Sequence, residues 1–231
     1  MPSFDDVNYS IACMSEVALK LTEAVELLHN SIALKRESGA KRLRKLGLPE
    51  SGEVLLAALK KEVKDKRTWS ARYHIIAALG VVKYQTALPF LWELTRQNFD
   101  ATMTYLGLGD AILRLSILEK PLAEVWSEVL KTQNPMFIDG ALRAIALLKL
   151  VPDDVTIQNI IAVARQPEFV DGVRGYSGDK SGLRYWVAAA SGGWKKSLTH
   201  EFLLECQLIK DTSLKHAADQ ALKGKYLKWD Y

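Results

Sequence analysis

The sequence predicts an all-α fold built from repeated pairs of helices, and three observations support this prediction. First, two stretches that begin 112 residues apart match each other: residues 71–80 read ARYHIIAALG, and residues 183–192 read LRYWVAAASG. Second, apolar residues recur three and four positions apart, which is the spacing of one buried helix face. Third, no segment sustains the apolar–polar alternation of a β-strand. A chain that repeats a two-helix unit is typical of an α-solenoid.

Further copies of the unit occur between and beside the two matching stretches. Shifting the segment that holds Leu88, Leu91 and Trp92 back by 33 residues, or forward by 34 or 69, places apolar residues at all three positions. These spacings predict about five to six helix pairs over residues 34–228. With 231 residues and 48% apolar composition, the chain can bury the core of one elongated domain over residues 1–231.

Glycines and short polar residues mark the expected helix ends. Gly47, Gly80 and Gly192 each end the first helix of a pair, where glycine accepts the left-handed C-cap conformation. Four side chains can accept a hydrogen bond from the first turn of a following helix: Ser51, Asp153, Ser181 and Asp211.

Residues 1–30 carry a different pattern, an unbroken apolar spacing of four and three. We expect a helix whose apolar seam covers the exposed flank of the first repeat, because solenoids need a terminal cap. The alternative is a dimerisation seam, since heptads also pair between chains. The protein is therefore expected to be a monomer or a dimer through this helix. The seam residues are Val7, Ile11, Met14, Ala18, Leu21, Val25 and Leu28.

The segments from Arg72 to Gly80 and from Arg184 to Gly192 resemble the HEAT-repeat family in its bacterial form. The resemblance extends over residues 34–228. It implies a right-handed α-solenoid in which the second helix of each pair lines a concave surface. Surfaces of this family usually bind proteins and sometimes bind nucleic acid.

Composition favours a cytoplasmic protein that does not contact a membrane. No apolar run approaches the roughly 18 residues of a membrane span, and the N-terminus lacks the pattern of a secretory signal. Cys13 and Cys206 form no CxxC pair, so two buried thiols in a reducing compartment are expected.

No catalytic or metal-binding motif is present in the sequence. Each of the four histidines lacks a second ligand at metal spacing, and neither a GxSxG motif nor a recognisable cysteine-protease context occurs. We therefore expect no enzyme activity, no cofactor, no metal and no catalytic residue. The histidines are His29, His74, His200 and His216.

Basic residues are concentrated in one stretch. Residues 1–34 carry five acidic residues and one lysine, whereas residues 35–67 carry eleven basic and five acidic residues. Lys60, Lys61 and Lys64 are candidate binding residues for an acidic protein partner. A cluster of this density can also neutralise phosphates, so nucleic acid is the alternative partner.

Residues 167–182 predict an inserted glycine-rich loop. The loop is not a P-loop, because Asp179 separates Gly178 from Lys180 and the preceding segment is helical. Long loops between compact helices are commonly functional. Arg174, Tyr176 and Lys180 are its candidate partner-binding residues, since tyrosine and arginine often anchor interfaces.

Asp110 and Arg114 form a candidate buried polar pair. They are four residues apart on one predicted helix, and the repeat register places Asp110 at an inward position. Gly107 and Gly109 would allow a neighbouring backbone to approach closely. By residue type alone, Trp69, Trp186, Asp110 and Arg114 resemble the groove residues of AlkD-type DNA glycosylases.

The sequence therefore predicts a non-enzymatic protein-binding scaffold, either an adaptor or a stoichiometric inhibitor. An immunity protein that neutralises a toxin is one example of such an inhibitor. The alternative is a nucleic-acid-binding HEAT-like protein that resembles the AlkD-type glycosylases. A chromophore lyase of the HEAT class is a third alternative, for which no residue can be nominated.

Overall fold

The structure is a computed structural model that describes residues 4–166 and 183–229, with side chains described from residue 16 onward. Within these ranges the chain forms twelve α-helices and no β-strand, which confirms the all-α prediction. The first six are α1 (Phe4–Leu28), α2 (Ala33–Leu46), α3 (Gly52–Glu62), α4 (Trp69–Val81), α5 (Leu88–Leu94) and α6 (Met103–Ser116). The others are α7 (Leu122–Lys131), α8 (Pro135–Leu147), α9 (Asp154–Ala164), α10 (Arg184–Ala190), α11 (Lys196–Leu208) and α12 (Thr212–Leu222).

The contacts divide the chain into two compact units, Met1–Ala87 and Leu88–Tyr231. In unit 1, α2 packs against both α1 and α4, and α3 packs against α4. In unit 2, α6 packs against α8, α8 against α10, and α10 against α12. First helices of successive pairs are thus neighbours inside each unit. The single domain over residues 1–231, the solenoid and its repeat count stay predictions.

Helix ends follow the predicted capping rules at only some positions. Gly47 caps α2 in the left-handed conformation, with φ of 66°, as predicted. The same prediction is wrong for Gly80, which lies inside α4, and for Gly192, which lies in a 3₁₀ turn over Ser191–Gly193. At the end of α4, Lys83 adopts the positive φ of 57° instead. A Cβ on Gly192 would lie 2.5 Å from the carbonyl oxygen of Lys225, so this glycine serves a close backbone approach.

The aspartate N-caps are confirmed, and the serine cap is wrong. Asp153 accepts a hydrogen bond from the Thr156 backbone N–H at 2.8 Å, and Asp211 accepts one from the Leu214 backbone N–H at 2.8 Å. The Ser51 hydroxyl instead donates to the carbonyl oxygen of Leu48 at 2.7 Å. Ser181 lies outside the described residues.

The last turns of α1 cover α2. Ala24 and Leu28 are buried, and a Cβ on Gly39 of α2 would lie 2.5 Å from the Leu28 backbone nitrogen. Further up the predicted seam, Leu21 is half-buried and Ala18 is exposed. The side chains of Val7, Ile11 and Met14 lie outside the described part of the chain, and a dimer through α1 stays a prediction. None of the described helices combines the length and the apolar character needed to span a membrane.

Candidate functional site

The outer face of α3 carries the candidate lysines of unit 1. Leu55, Ala58, Leu59 and Glu62 are buried, so one side of the helix faces the core. Lys60, Lys61 and Lys64 are exposed, and Lys64 lies two residues beyond Glu62, the last residue of the helix. We call these three residues the lysine face.

An ion pair behind the lysine face links α3 to α2. Arg36 of α2 donates from Nε to Glu62 Oε2 at 2.8 Å and from Nη2 to Glu62 Oε1 at 3.0 Å. Its Nη1 also donates to the carbonyl oxygens of Asn30 at 3.1 Å and Ser31 at 2.7 Å. The hydrogen bonds with Glu62 raise the pKa of Arg36. Because Glu62 is only 4% exposed, this bidentate pair fixes α3 against α2 and the α1–α2 turn.

Three other cations of the basic stretch form salt bridges within unit 1. Lys41 contacts Glu37 at 2.5 Å, and Arg42 lies 3.6 Å from Glu23. Arg67 forms a salt bridge with Asp65 at 3.1 Å, and the hydrogen bonds from Arg67 hold the pKa of Asp65 below its usual value. By contrast, no salt bridge joins Lys61 or Lys64 to any residue in the described ranges. Lys61 and Lys64 therefore contribute to the excess positive charge that this stretch exposes, together with Lys35, Lys45 and Lys66.

A cleft of about 410 Å³ opens beside the lysine face. It lies between the end of α1, the α1–α2 turn and α3. Its lining residues are Leu28, His29, Asn30, Arg36, Ala58, Lys61, Glu62 and Asp65. Sequence reasoning missed this cleft, because the Arg36–Glu62 pair that forms one wall joins residues far apart in the chain.

Unit 2 contains the Asp110–Arg114 ion pair. Arg114 Nε donates to Asp110 Oδ1 at 2.6 Å, and the two side chains are 10% and 1% exposed respectively. Since both groups are removed from water, each depends on the other as its charge partner. The same Asp-x-x-x-Arg spacing recurs at Asp139, which is buried, and Arg143 on the neighbouring helix α8. That recurrence was visible in the sequence.

Helices α6 and α8 meet at their glycines. A Cβ on Gly109 would collide with the carbonyl oxygen of Phe137, and a Cβ on Gly140 would collide with the carbonyl oxygen of Leu106. The close approach expected at Gly109 is therefore present, with Gly140 as its counterpart. This packing brings the two Asp-x-x-x-Arg helices into direct backbone contact.

A group of aromatic rings lies at the start of α10. Trp186 packs edge-on against Tyr185, with ring centroids 5.0 Å apart. It also packs against Trp229 with the two ring planes tilted by 37° and the ring centroids 5.1 Å apart. The guanidinium carbon of Arg143 lies 5.9 Å from the Trp186 ring centre, within cation–π range. We call these four half-buried residues the aromatic cluster. Trp229 and Arg143 were not among the sequence candidates, whereas Trp186 was.

The remaining candidates do not converge on one catalytic centre. Trp69 is 41% exposed on α4 of unit 1. His74 packs edge-on against Tyr73 and has Nε2 3.8 Å from Glu37 Oε1. Burial raises the pKa of the Cys206 thiol to about 12, so this cysteine is not activated as a nucleophile. Among the described residues, no three His, Cys, Asp or Glu side chains form a metal-binding group.

Three sequence candidates, Arg174, Tyr176 and Lys180, lie outside the described residues, together with the rest of the predicted loop over 167–182. Their role as partner-binding residues stays a prediction.

No family model matches the sequence, and no curated protein matches it. The functional assignment therefore depends on the lysine face, the cleft, the buried ion pair and the aromatic cluster.

Proposed function

We propose that this protein is a non-enzymatic helical-repeat scaffold that binds an acidic surface of a protein partner through the lysine face. In this role it acts as an adaptor or as a stoichiometric inhibitor, of which a toxin-neutralising immunity protein is one example. Bacterial HEAT-like repeats are the family proposed for its helix pairs, with α1 as the N-terminal cap. The supporting observation is that Lys60 and Lys61 on α3, and Lys64 just beyond its end, are exposed where the Arg36–Glu62 pair holds the helix against α2.

Rigid support matters because binding costs free energy for every side chain and segment that must be ordered. A helix already fixed by a bidentate ion pair presents its charges without further ordering of the backbone. The complementary charge of an acidic partner also speeds association.

Two helices of unit 2, α9 and α11, expose residues of mixed character. The exposed residues of α9 are acidic, apolar or neutral: Asp154, Val155, Gln158, Asn159 and Ala162. α11 begins with the exposed Lys196, its middle exposes His200, Glu201 and Leu204, and its end exposes Leu208. A surface that follows a phosphate backbone requires repeated cations, so this mixed character favours a protein partner.

The test is capture of proteins from nuclease-treated cell extract on three immobilised proteins. These are the wild type, the triple variant Lys60→Glu/Lys61→Glu/Lys64→Glu, and a control with the same charge change, Lys196→Glu/Lys215→Glu/Lys223→Glu. The control lysines are exposed in unit 2. We expect an acidic protein that is retained by the wild type and the control and lost on the α3 triple variant. Equal retention on all three proteins would contradict the proposal.

A nucleic-acid-binding function is the second candidate, and the aromatic cluster favours it. Half-buried tryptophan and tyrosine rings next to an arginine can stack on unpaired bases. The test is quenching of tryptophan fluorescence by single-stranded oligonucleotides, compared between the wild type and Trp186→Leu. Quenching that is saturable, salt-sensitive and lost in Trp186→Leu would support this candidate over the protein-binding proposal.

A further inference from the structure

We propose that the cleft beside the lysine face is the pocket for a glutamate side chain of the acidic partner, with Lys61 as the residue that binds its carboxylate. This inference rests on the proposed function and deepens it, because it names the group that is recognised. The cleft volume of about 410 Å³ falls within the range of about 300–1,000 Å³ that is common for ligand pockets.

The charges that line the cleft leave Lys61 as the available cation. Arg36 is occupied by both carboxylate oxygens of Glu62 and by two backbone carbonyl oxygens. Asp65 is paired with Arg67 through two side-chain hydrogen bonds of 3.1 Å each. Both carboxylates of the cleft are thus matched by a guanidinium, while no salt bridge joins Lys61 to a described residue. A ligand carboxylate supplies the missing partner.

Two apolar residues, Leu28 and Ala58, are among those that line the cleft, and they are 1% and 6% exposed. A lining that combines apolar groups with the ammonium group of Lys61 matches a side chain with two methylene groups and a terminal carboxylate. A phosphate group lacks the methylene stem and gains nothing from the apolar residues.

The walls of the cleft are fixed before a ligand arrives. The Asn30 side-chain oxygen accepts a hydrogen bond from the Ile32 backbone N–H at 3.0 Å, which sets the α1–α2 turn. Arg36 binds the same turn through the Asn30 and Ser31 carbonyl oxygens. Little ordering is therefore needed when a side chain enters, so more of the interaction energy contributes to affinity.

The experiment measures the binding of fluorescein-labelled octaglutamate by anisotropy at low ionic strength, with octaglutamine and octathymidylate as comparison probes. Lys61→Gln removes the cation of the cleft, and His29→Trp fills the cleft while keeping every lysine. Lys66→Gln is the matched control, since Lys66 is an exposed lysine of the same stretch that does not line the cleft.

We expect Lys61→Gln and His29→Trp each to weaken octaglutamate binding by about five- to tenfold, the loss typical of an anchor contact. Lys66→Gln should change it by less than about twofold, as is usual for exposed charges. Circular dichroism of each variant confirms that it is folded.

Two results would overturn the cleft assignment while leaving the proposed function intact. One is octaglutamate binding that His29→Trp does not change, which would place the peptide on the lysine face alone. The other is an equal loss of octaglutamate affinity in Lys61→Gln and Lys66→Gln, which would show that the peptide responds to total charge and not to the lysine of the cleft. Tighter binding of octathymidylate with the same variant pattern, or no binding of octaglutamate at all, would overturn both proposals.

Discussion

Two contacts between helices in this protein, which we call joints, are formed by different parts of the chain: one by side chains and the other by the backbone. In unit 1, α2 and α3 are linked by side chains, through the bidentate pair of Arg36 and Glu62. In unit 2, α6 and α8 are joined by backbone contact, where Gly109 and Gly140 leave no room for a Cβ. The first joint depends on two long charged side chains that bind each other. The second depends on glycines, which have no side chain and so let the two backbones touch.

The two kinds of joint differ in how much of the helix surface they leave exposed to solvent. A side-chain joint occupies one buried position of α3, Glu62, and leaves the outer positions open to the lysine face. A backbone joint leaves most of α6 in the core, and every residue from Leu106 to Leu113 is buried. We infer that unit 1 displays charge for binding, whereas the α6–α8 joint of unit 2 serves mainly to hold its scaffold together.

The largest expected effect is at the side-chain joint. Arg36→Met should lower the free energy of unfolding by about 3 to 4 kcal/mol, because it leaves the Glu62 carboxylate buried without its partner. The loss is measured by urea denaturation followed by circular dichroism. The double variant Arg36→Met/Glu62→Leu removes both charges and should recover most of the loss. If the double variant is as unstable as the single one, packing by the arginine stem, and not the ion pair, holds the joint.

The next effect is at the backbone joint. Gly140→Ala should destabilise by about 2 to 3 kcal/mol, because a Cβ there forces α6 and α8 apart. Helix propensity alone would favour alanine over glycine by about 1 kcal/mol. A loss of stability therefore indicates the steric clash between α6 and α8, whereas a gain indicates helix propensity. Ser127→Ala, on the exposed face of α7, is the control and should stay within about 0.5 kcal/mol. A stabilised Gly140→Ala would show that the two helices can separate at little cost.

The sequence was most informative where structure depends on local pattern. The two matching stretches keep the same ring geometry, with Tyr73–His74 centroids 4.9 Å apart at 72° and Tyr185–Trp186 centroids 5.0 Å apart at 71°. Asp110 and Arg114 could be proposed as a pair because four residues make one helical turn. These features are set by residues close together in the chain.

Features that depend on tertiary packing could not be predicted in the same way. Arg36 and Glu62 are 26 residues apart, and nothing in the local sequence pairs them. Trp229 reaches Trp186 only after the chain turns back at Gly224, which has a positive φ of 69°. Gly192 resembles a C-cap in sequence, yet its actual role is to admit the backbone of residue 225. Each of these contacts needs the fold to be known first.

Cys206 provides a smaller, chemical test of the scaffold in unit 2. In a Cys13→Ser background, its labelling by iodoacetamide at pH 8 should be about a hundredfold slower than in the unfolded chain, because the thiol is buried and must be exposed to react. Gly140→Ala should speed the labelling. Fast labelling of the wild type would contradict the burial of this side chain.

The same thiol gives a pH dependence of known sign. Burial raises the folded pKa of Cys206 from 9.0 to about 12, so the folded state holds its proton more tightly than the unfolded state. Its contribution to stability is therefore complete below pH 9 and is lost as the pH rises from 9 towards 12. Denaturation of Cys206→Ala across this window should show a weaker pH dependence than the wild type.

The smallest expected change in stability is at the lysine face, which takes no part in either joint. Reversing Lys60, Lys61 and Lys64 to glutamate should alter the free energy of unfolding by less than about 1 kcal/mol, since exposed charges contribute little to folding. The same variant should abolish binding of octaglutamate, so stability and binding separate at this surface.

Duplex DNA provides the contrasting measurement, because each phosphate contact lowers log K by about 0.9 for every unit of log salt. We expect weak duplex binding at physiological salt in both proteins. Tight, salt-sensitive DNA binding that the reversal removes would assign the lysine face to nucleic acid instead, while leaving the account of the two joints unchanged.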